Sequence, residues 1–478
     1  MSGLSAEAPS TACGGPPPLQ MQGRRLIGPE WLFLFFALIG GLALVALIPP
    51  LAGGNEEMNF QRSAMVSNGH LLVKPAMLPG GIAELLDITD RTFTEGKHPP
   101  LHYSRRQFDQ VAALKLRADQ PRLVEPNPIA VLNPMSYLPQ APVMAAAQAI
   151  GLSPLGIFYL GRLAGLVAGI ALTFFAIRVA PVRKYTLAAV ALLPPILFSR
   201  STLDADQLTN GLAFLLLALT MREIAAPGAI RARTIAALAV AAFLLAQAKS
   251  AYLFLPLLTV AIPAARFAST GRKAAVCALI IVPGVFASVG WMLLLKLTYF
   301  TDLQYRTWSG VVQPHQQLAA VLAHPFGYAL VLLRTLFATA FFPRIVVEFL
   351  GVFGPPVRLP MLVIVGLAGL LLVTVASDEP IMERSLKSFR VRLLAIAIVV
   401  VTMLLILTLL YLQWTRFEGA VVDGFNGRYL YPLAPLLLLL VPSAGRKLFG
   451  LASSTWLALL GGVSIVATWM MTAWTYFA

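Results

Sequence analysis

The chain is short of charged residues and of cysteine for its length of 478 residues. Charged side chains make up 12% of it, whereas a soluble domain carries about 25%. The two cysteines, Cys13 and Cys277, stand in a polar tail and an apolar run, so they provide neither a disulfide framework nor a metal cluster. The 5 histidines lack helical pairing and zinc-type spacing. These deficits exclude a disulfide-stapled domain and argue against a zinc protein.

Glycine-rich nucleotide-binding motifs and internal repeats are also missing from the sequence. The first absence argues against a cytoplasmic nucleotide-sugar donor, because glycine-rich loops hold the phosphates of nucleotides through backbone N–H groups. The second argues against a transporter, since many transporters are built from two related halves.

Apolar residues are what the chain has in excess. They form 58% of it and give a mean hydropathy of +0.78, which predicts an all-α polytopic membrane protein. The net charge of +15 comes from Lys and Arg clustered in short turns between apolar runs, the pattern of cytoplasmic loops. We therefore expect membrane lipids, and not nucleic acid, as the partners of this charge.

The order of polar and apolar segments predicts the topology. Residues 1–28 are rich in Pro, Gly and Ser and predict a disordered cytoplasmic tail. Arg24-Arg25 place the start of the first apolar run in the cytoplasm. Residues 51–135 are polar and cannot cross a bilayer, because their backbone groups would lack partners in hydrocarbon. They predict a large extracytoplasmic loop within a single membrane domain, 29–478.

About 11 membrane spans are expected, with the C-terminus outside. Five basic clusters then fall on the cytoplasmic side. A crossing by the apolar residues 325–353 would place the basic cluster 384–392 outside, so we interpret 325–353 as interfacial or re-entrant helices. Residues 135–152 predict a juxtamembrane helix. The expected spans are 31–50, 154–178, 184–200, 206–226, 232–248, 250–268, 273–297, 359–377, 392–413, 429–443 and 451–475.

Acids and cations converge on the extracytoplasmic ends of these spans. Glu56 and Glu57 come a few residues after the first span, so they stay near the height of a lipid phosphate. An enzyme that takes a sugar from a lipid-linked phosphate needs a carboxylate to deprotonate an acceptor hydroxyl, and cations to hold the phosphate. Glu56 is therefore the first candidate for the base and Glu57 the second, each with the alternative of a solvated loop carboxylate.

Arg428 and Lys249 are candidate phosphate ligands at the same surface. Arg428 could instead form a salt bridge to a loop acid, and Lys249 could extend to the lipid headgroups. Asp206, with Asp204 beside it, begins a predicted helix, where an Asp is ordinarily a cap; the alternative is contact with substrate or metal. Arg162 is a further candidate for substrate or phosphate binding. It lies inside the second span, where an unpaired charge is costly, so the alternative is that it pairs within the bundle with an acid of the loop.

His98 is a further candidate for substrate binding, in the tract His98-Pro99-Pro100. The paired prolines stiffen the loop and restrict His98 to extended geometry, which is the structural alternative. Two acids from separate loops could also meet as hard oxygen ligands for magnesium or manganese. Nothing in their spacing requires a metal.

Several motifs resemble a family of bacterial predicted membrane proteins filed as domain of unknown function 2142. The segments 54–60 (GNEEMNF) and 68–72 (NGHLL) resemble the family opening P-D-E-P-x-H-F … G-H-L. The chain departs from that opening at Asn55, where the family has Asp, and at Asn59, where it has His. If the family's Asp is the base, its role passes here to Glu56 or is lost. Further resembling motifs, within residues 30–445, include Asn133–Gln140, Tyr159–Arg162, Ser201–Asn210 and Asn426–Pro432.

This family in turn resembles the GT-C membrane glycosyltransferases. The resemblance implies a GT-C-like bundle with a large extracytoplasmic first loop, juxtamembrane helices and a polyprenyl-phosphate sugar as donor. The tract at His98 is similar to the H-P-P tract of several GT-C loops.

The leading hypothesis is a glycosyltransferase of the bacterial cytoplasmic (inner) membrane. It would transfer a sugar from a polyprenyl-phosphate donor to an extracytoplasmic cell-envelope glycan or lipid acceptor. The alternatives are a transporter or flippase for lipid-linked sugars and an assembly subunit that keeps the GT-C fold without catalysis.

Overall fold

The computed structural model describes residues 28–94, 103–298, 305–307, 310–354, 357–445 and 447–477. His98 and residues 1–27 of the expected tail lie outside the described residues. The described chain is mostly helical. Its helices are α1 (Pro29–Leu47), α2 (Glu56–Ser67), α3 (Gly80–Thr94), α4 (Arg105–Ala112), α5 (Gln140–Ala149), α6 (Pro154–Val179), α7 (Lys184–Ala191), α8 (Pro194–Ser201), α9 (Asp206–Ala225), α10 (Ala232–Ala248), α11 (Thr270–Thr298), α12 (Pro314–Ala323), α13 (Pro325–Leu336), α14 (Phe341–Gly351), α15 (Met361–Ser377), α16 (Arg384–Lys387), α17 (Phe389–Gln413), α18 (Ala434–Leu438) and α19 (Ser453–Phe477).

Short antiparallel strand pairs accompany the helices in the described chain, which the all-α expectation did not include. The strands pair in order, β1 with β2, β3 with β4 and β5 with β6. They are β1 (Ala76–Leu78), β2 (Arg122–Val124), β3 (Tyr305–Thr307), β4 (Gly310–Val312), β5 (Val352–Gly354) and β6 (Val357–Arg358).

Six helices of the described chain are long and apolar enough to cross a membrane: α1, α6, α9, α11, α17 and α19. The pair α12 and α13 would add a seventh span, but the two helices are bent by 108°. The bend lies just before the stretch 325–353, whose interpretation as interfacial or re-entrant stays a prediction. The most apolar stretch of α9 is 83% buried and that of α11 is 22% buried. The protein is therefore a helical membrane protein with α9 at its centre and α11 at its periphery.

Eleven spans are not confirmed, because several of the expected ones are short or interrupted by proline. The expected span 184–200 is split into α7 and α8 at Pro194-Pro195, and 250–268 consists of 3-10 turns. The expected span 429–443 begins as a 3-10 helix that contains Pro432. Proline removes a helical hydrogen bond and clashes with the preceding turn, so these apolar runs do not continue as one helix. The helices α10 and α15 have 17 residues each, slightly fewer than the roughly 20 that a crossing needs.

The described part of the polar segment 51–135 is folded onto the bundle. Apolar side chains of α2 and α3, among them Phe60 and Ile82, form a buried cluster with Phe158 of α6. The rings of Phe60 and Phe158 meet edge to face, with their centroids 5.4 Å apart. Helix α5, which lies where the juxtamembrane helix was predicted, packs against both α2 and α6. The segment therefore has a fixed position relative to the membrane helices.

A glycine on α6 allows the start of α9 to approach closely. A Cβ at Gly165 would lie 1.6 Å from Oε1 of Gln207. The same Oε1 accepts a hydrogen bond of 2.8 Å from Nε2 of Gln140, and Nε2 of Gln207 donates to the carbonyl of Arg200 at 2.7 Å. Small residues permit such close packing between membrane helices. This contact fixes Asp206, the residue before Gln207.

Several segments that were expected to be cytoplasmic meet at the end of the bundle where α1 begins. Trp31 at the start of α1 packs against Phe174 near the end of α6. Just after α6, Arg183 donates to the carbonyls of Val375 and Val441. The polar segment 51–135 follows the opposite end of α1.

Arg162 and Glu56 form an ion pair in which both side chains are fully buried. Nε of Arg162 lies 2.7 Å from Oε1 of Glu56, and Nη2 lies 2.6 Å from Oε2. The backbone N–H groups of Gly53 and Leu203 also donate to the Glu56 carboxylate. The expectation that Arg162 pairs with a loop acid is confirmed, and its candidate role in substrate or phosphate binding stays a prediction. The remaining guanidinium donors reach the carbonyls of Val45, Ile48 and Pro49.

Replacing Glu56 with Gln should destabilise the protein by about 3–5 kcal/mol, because the guanidinium of Arg162 would remain buried without its counter-ion. Chemical unfolding in detergent micelles measures the loss. The matched control is Arg122→Gln, which removes an exposed pair with Asp87 and should cost no more than about 1 kcal/mol. Equal stability of Glu56→Gln and the parent protein would contradict a structural role for this pair.

Candidate functional site

A cavity of about 610 Å³ lies between the turn into α2 and the start of α9. Its lining has a charged wall and an apolar wall. The charged wall includes Asp204, Asp206, Lys249, Arg344, Glu348 and Arg428. The apolar wall comes from α11 and α17 and includes Trp291, Met292, Leu295, Ile406 and Leu409. A cavity of this kind suits an amphiphilic ligand with a charged head and an apolar chain.

Asp206 is the centre of the charged wall. Its Oδ1 lies 2.5 Å from Nζ of Lys249, and its Oδ2 lies 4.0 Å from Nε of Arg428. The sequence left open whether Asp206 caps α9 or contacts other groups. The N-cap of α9 is Ala205, and the carboxylate of Asp206 pairs with the two cations. It therefore brings together two side chains that are far apart in the sequence.

Asp204 borders the same cavity without an ion pair within 4.0 Å in the described part of the chain. Its Oδ1 accepts the backbone N–H of Asp206 at 3.0 Å, and its Oδ2 accepts the hydroxyl of Ser199 at 3.1 Å. Burial, together with the neighbouring charge of Asp206, raises the pKa of Asp204 to about 6. A carboxyl group with a pKa near neutrality can accept and return a proton at physiological pH.

Lys249 and Arg428 lie against the same aromatic ring. Nζ of Lys249 is 5.1 Å from the ring centroid of Tyr429, and the guanidinium carbon of Arg428 is 5.6 Å from it. Nε of Arg428 is buried and lacks a hydrogen-bond partner among the residues described. Two cations that share one acid and one aromatic ring can receive an anion with little rearrangement.

Glu348 is a cavity residue that the sequence reasoning missed. Its Oε2 accepts the backbone N–H of Gly427 at 3.0 Å, and burial raises its pKa. A Cβ on Gly427 would lie 2.3 Å from the backbone nitrogen of Phe349, so the residue before Arg428 has no room for a side chain. Glu348 is the only acid in the apolar stretch 325–353. An ionisable residue in such a stretch is a signal of function, and it could have identified Glu348.

Asn55 lines the cavity and Glu56 does not. Asn55 adopts a left-handed conformation, with φ of 60°, which Asn tolerates better than most residues. The next residue, Glu56, is enclosed with Arg162, and Glu57 does not line the cavity either. The predicted catalytic role of the two glutamates stays a prediction. Asn59, where the family opening has His, also borders the cavity. Its Oδ1 accepts a hydrogen bond of 2.8 Å from the hydroxyl of Tyr137.

The described residues contain no group of three or more His, Cys, Asp or Glu side chains that could hold a metal ion. The ammonium of Lys249 also occupies the position beside Asp206 that a cation would take. The arrangement therefore does not fit magnesium or manganese, and we assign no chemical step to a metal.

Comparison with known proteins gives one family. Neither the curated proteins nor the solved structures contain a match. The model of the family described as "Predicted membrane protein (DUF2142)" matches residues 38–437, which include both walls of the cavity. The chain therefore belongs to this family of predicted membrane proteins, DUF2142.

Proposed function

We propose that the protein is a membrane glycosyltransferase that transfers a sugar from a polyprenyl-phosphate donor to an extracytoplasmic glycan or lipid acceptor of the cell envelope. One observation carries the proposal: a carboxyl group with a pKa near neutrality and two cations share a cavity that has an apolar wall. Sugar transfer from a lipid phosphate needs each of these parts.

Asp204 is the base in this proposal. Its carboxylate takes the proton of the acceptor hydroxyl, and the oxygen attacks the anomeric carbon of the donor sugar. The bond between that carbon and the phosphate oxygen breaks, and the polyprenyl phosphate leaves with the electron pair. Arg428 and Lys249 stabilise the charge that develops on the phosphate. Asp204 is preferred to Glu56 because Glu56 is enclosed by Arg162 and lies outside the cavity lining.

The apolar wall is proposed to hold the first isoprene units of the donor. The windows of α11 and α17 that contribute to it are 22% and 28% buried, so both helices have faces available to lipid. A polyprenyl chain could therefore enter from the bilayer while its phosphate reaches the charged wall.

The proposed architecture is a GT-C-like bundle in the bacterial cytoplasmic membrane, with the cavity on the extracytoplasmic side. The basic turns support this orientation, because they belong to the end of the bundle where α1 begins, and basic residues mark cytoplasmic loops. The shorter helices α10 and α15, together with the interrupted segments 184–201, 250–266 and 427–438, would complete the crossings.

A non-catalytic assembly subunit is the second candidate, and Asn55 is the observation that favours it. Asn55 lines the cavity. The opening motif of the family that this segment resembles has Asp at the same position. A cavity that has lost its base would still bind a lipid-linked sugar.

Substitution of Asp204 by Asn should lower the rate of sugar transfer by about 10²–10⁴-fold, the usual contribution of a positioned base. In the parent protein, kcat/KM should fall as the pH drops through about 6, because protonation of Asp204 removes the base. A panel of synthetic polyprenyl-phosphate hexoses and pentoses in liposomes, with products detected by mass spectrometry, provides the assay. The control Asp109→Asn, on the exposed surface of α4, should retain activity. If Asp204→Asn transfers sugar at the parent rate, Asp204 is not the base. If the donor lipid moves across the bilayer without forming a glycosidic product, the protein is a transporter.

Arg428→Gln should weaken the binding of polyprenyl phosphate by about 10–100-fold, because a charge-assisted hydrogen bond contributes about 1.5–3 kcal/mol. Arg428→Lys should restore part of the loss, since lysine keeps the charge but not the planar fork. Native mass spectrometry of the protein with added polyprenyl phosphate measures both affinities. Arg334→Gln, on an exposed side chain of α13, is the matched control. An affinity of Arg428→Gln equal to that of the control would show that the phosphate binds elsewhere.

Asn55→Asp distinguishes the two candidate functions. If the parent protein transfers no sugar because its base is missing, this substitution should create transfer in the same liposome assay. If Asp204 is the base, the parent should already be active and Asn55→Asp should change the rate by less than about tenfold, with the acid limb of the profile moved to higher pH by the added negative charge.

A further inference from the structure

A second cavity, of about 760 Å³, lies at the other end of α9. Helix α9 begins at the first cavity with Asp206 and has 20 residues, which corresponds to a length of about 30 Å. The second cavity is formed by the end of this helix, the start of α10 and the turn between them. It is therefore separated from the first cavity by about the thickness of the hydrocarbon core.

Four of the five charged residues that line this cavity are arginines. Arg222, Arg231, Arg233 and Arg266 contribute to it, and Glu223 is its only acid. The two oxygens of Glu223 are both in use, since Oε1 accepts from Arg222 at 3.1 Å and Oε2 accepts from Arg266. Neither Arg231 nor Arg233, both exposed, has a carboxylate within 4.0 Å in the described part of the chain. The lining thus carries an uncompensated positive charge.

Arg266 shows that the cavity is an organised structure. The residue is 6% exposed, and its Nη1 donates to the carbonyls of Ala226 and Pro227 in the turn after α9. In return the backbone N–H of Ile230 donates to the Arg266 carbonyl at 3.0 Å. Nε of Arg266 is buried without a hydrogen-bond partner among the described residues. The turn is folded around this guanidinium, so the neighbouring Arg231 is held at the edge of the cavity.

We propose that this cavity binds a phosphate group. Guanidinium groups match the oxygens of a phosphate with paired hydrogen bonds, and two of the four here have no acid to neutralise them. The start of α10 adds its partial positive charge. The phosphate could belong to the headgroup of an anionic phospholipid or to free phosphate, and basic pockets between membrane helices suit either.

Two binding measurements on the full-length protein test the proposal. In the first, the protein in nanodiscs of mixed phosphatidylglycerol and phosphatidylcholine is analysed by native mass spectrometry for retained lipid. In the second, inorganic phosphate is titrated against the detergent-solubilised protein and its thermal stability is recorded. Retention of phosphatidylglycerol identifies a lipid headgroup as the ligand, and stabilisation by phosphate at millimolar concentration identifies the free anion.

The double variant Arg231→Gln/Arg233→Gln should lose at least about tenfold in affinity in the arm that shows binding. The matched control is Arg390→Gln/Arg392→Gln, which removes the same charge from exposed positions on α17 and should bind as the parent does. If both double variants lose the same affinity, the binding depends on surface charge in general and not on this cavity, which would overturn the proposal. The proposal is also overturned if the parent protein binds neither phosphatidylglycerol nor inorganic phosphate.

Discussion

A guanidinium buried in a membrane protein is stable only when its donors are satisfied and its charge is balanced. Arg162 meets this condition with the Glu56 carboxylate and with carbonyls at the end of α1. The same carboxylate accepts the backbone N–H of Leu203, the residue before Asp204. One ion pair therefore fixes the start of α2 and the turn into α9. Both elements contribute to the charged cavity, so the geometry of the cavity depends on a pair that lies outside it.

The pairing of Arg162 could be predicted because the cost of an unpaired charge inside a span is a local property of the sequence. The orientation of Glu56 could not. Successive residues of a helix point about 100° apart, so the choice between Asn55, Glu56 and Glu57 as the cavity residue depends on how α2 enters the fold. That entry is set by the left-handed conformation of Asn55. Apolar runs likewise predicted where helices lie, but the prolines within them divided several expected spans into short helices.

The cavity assigns different roles to two similar residues by position alone. Asp206 lies between Lys249 and Arg428, so its negative charge is balanced in the resting protein. Asp204 accepts only neutral donors, the hydroxyl of Ser199 and a backbone N–H, and its pKa rises to about 6. Sequence position did not separate the two, since both precede the apolar part of α9. The difference between the two carboxylates depends on Lys249 and Arg428, which lie 43 and 222 residues after Asp206 in the sequence.

The departure at Asn55 has an electrostatic consequence for Asp204. An Asp at position 55 would add a further carboxylate to a cavity that already contains Asp204, Asp206 and Glu348. Like charges in one site raise each other's pKa, so an additional acid would favour the protonated form of Asp204 near neutral pH. With Asn at position 55, Asp204 has one acidic neighbour fewer and ionises more readily. The Asn at position 55 therefore leaves a larger fraction of Asp204 ionised near neutral pH than an Asp would.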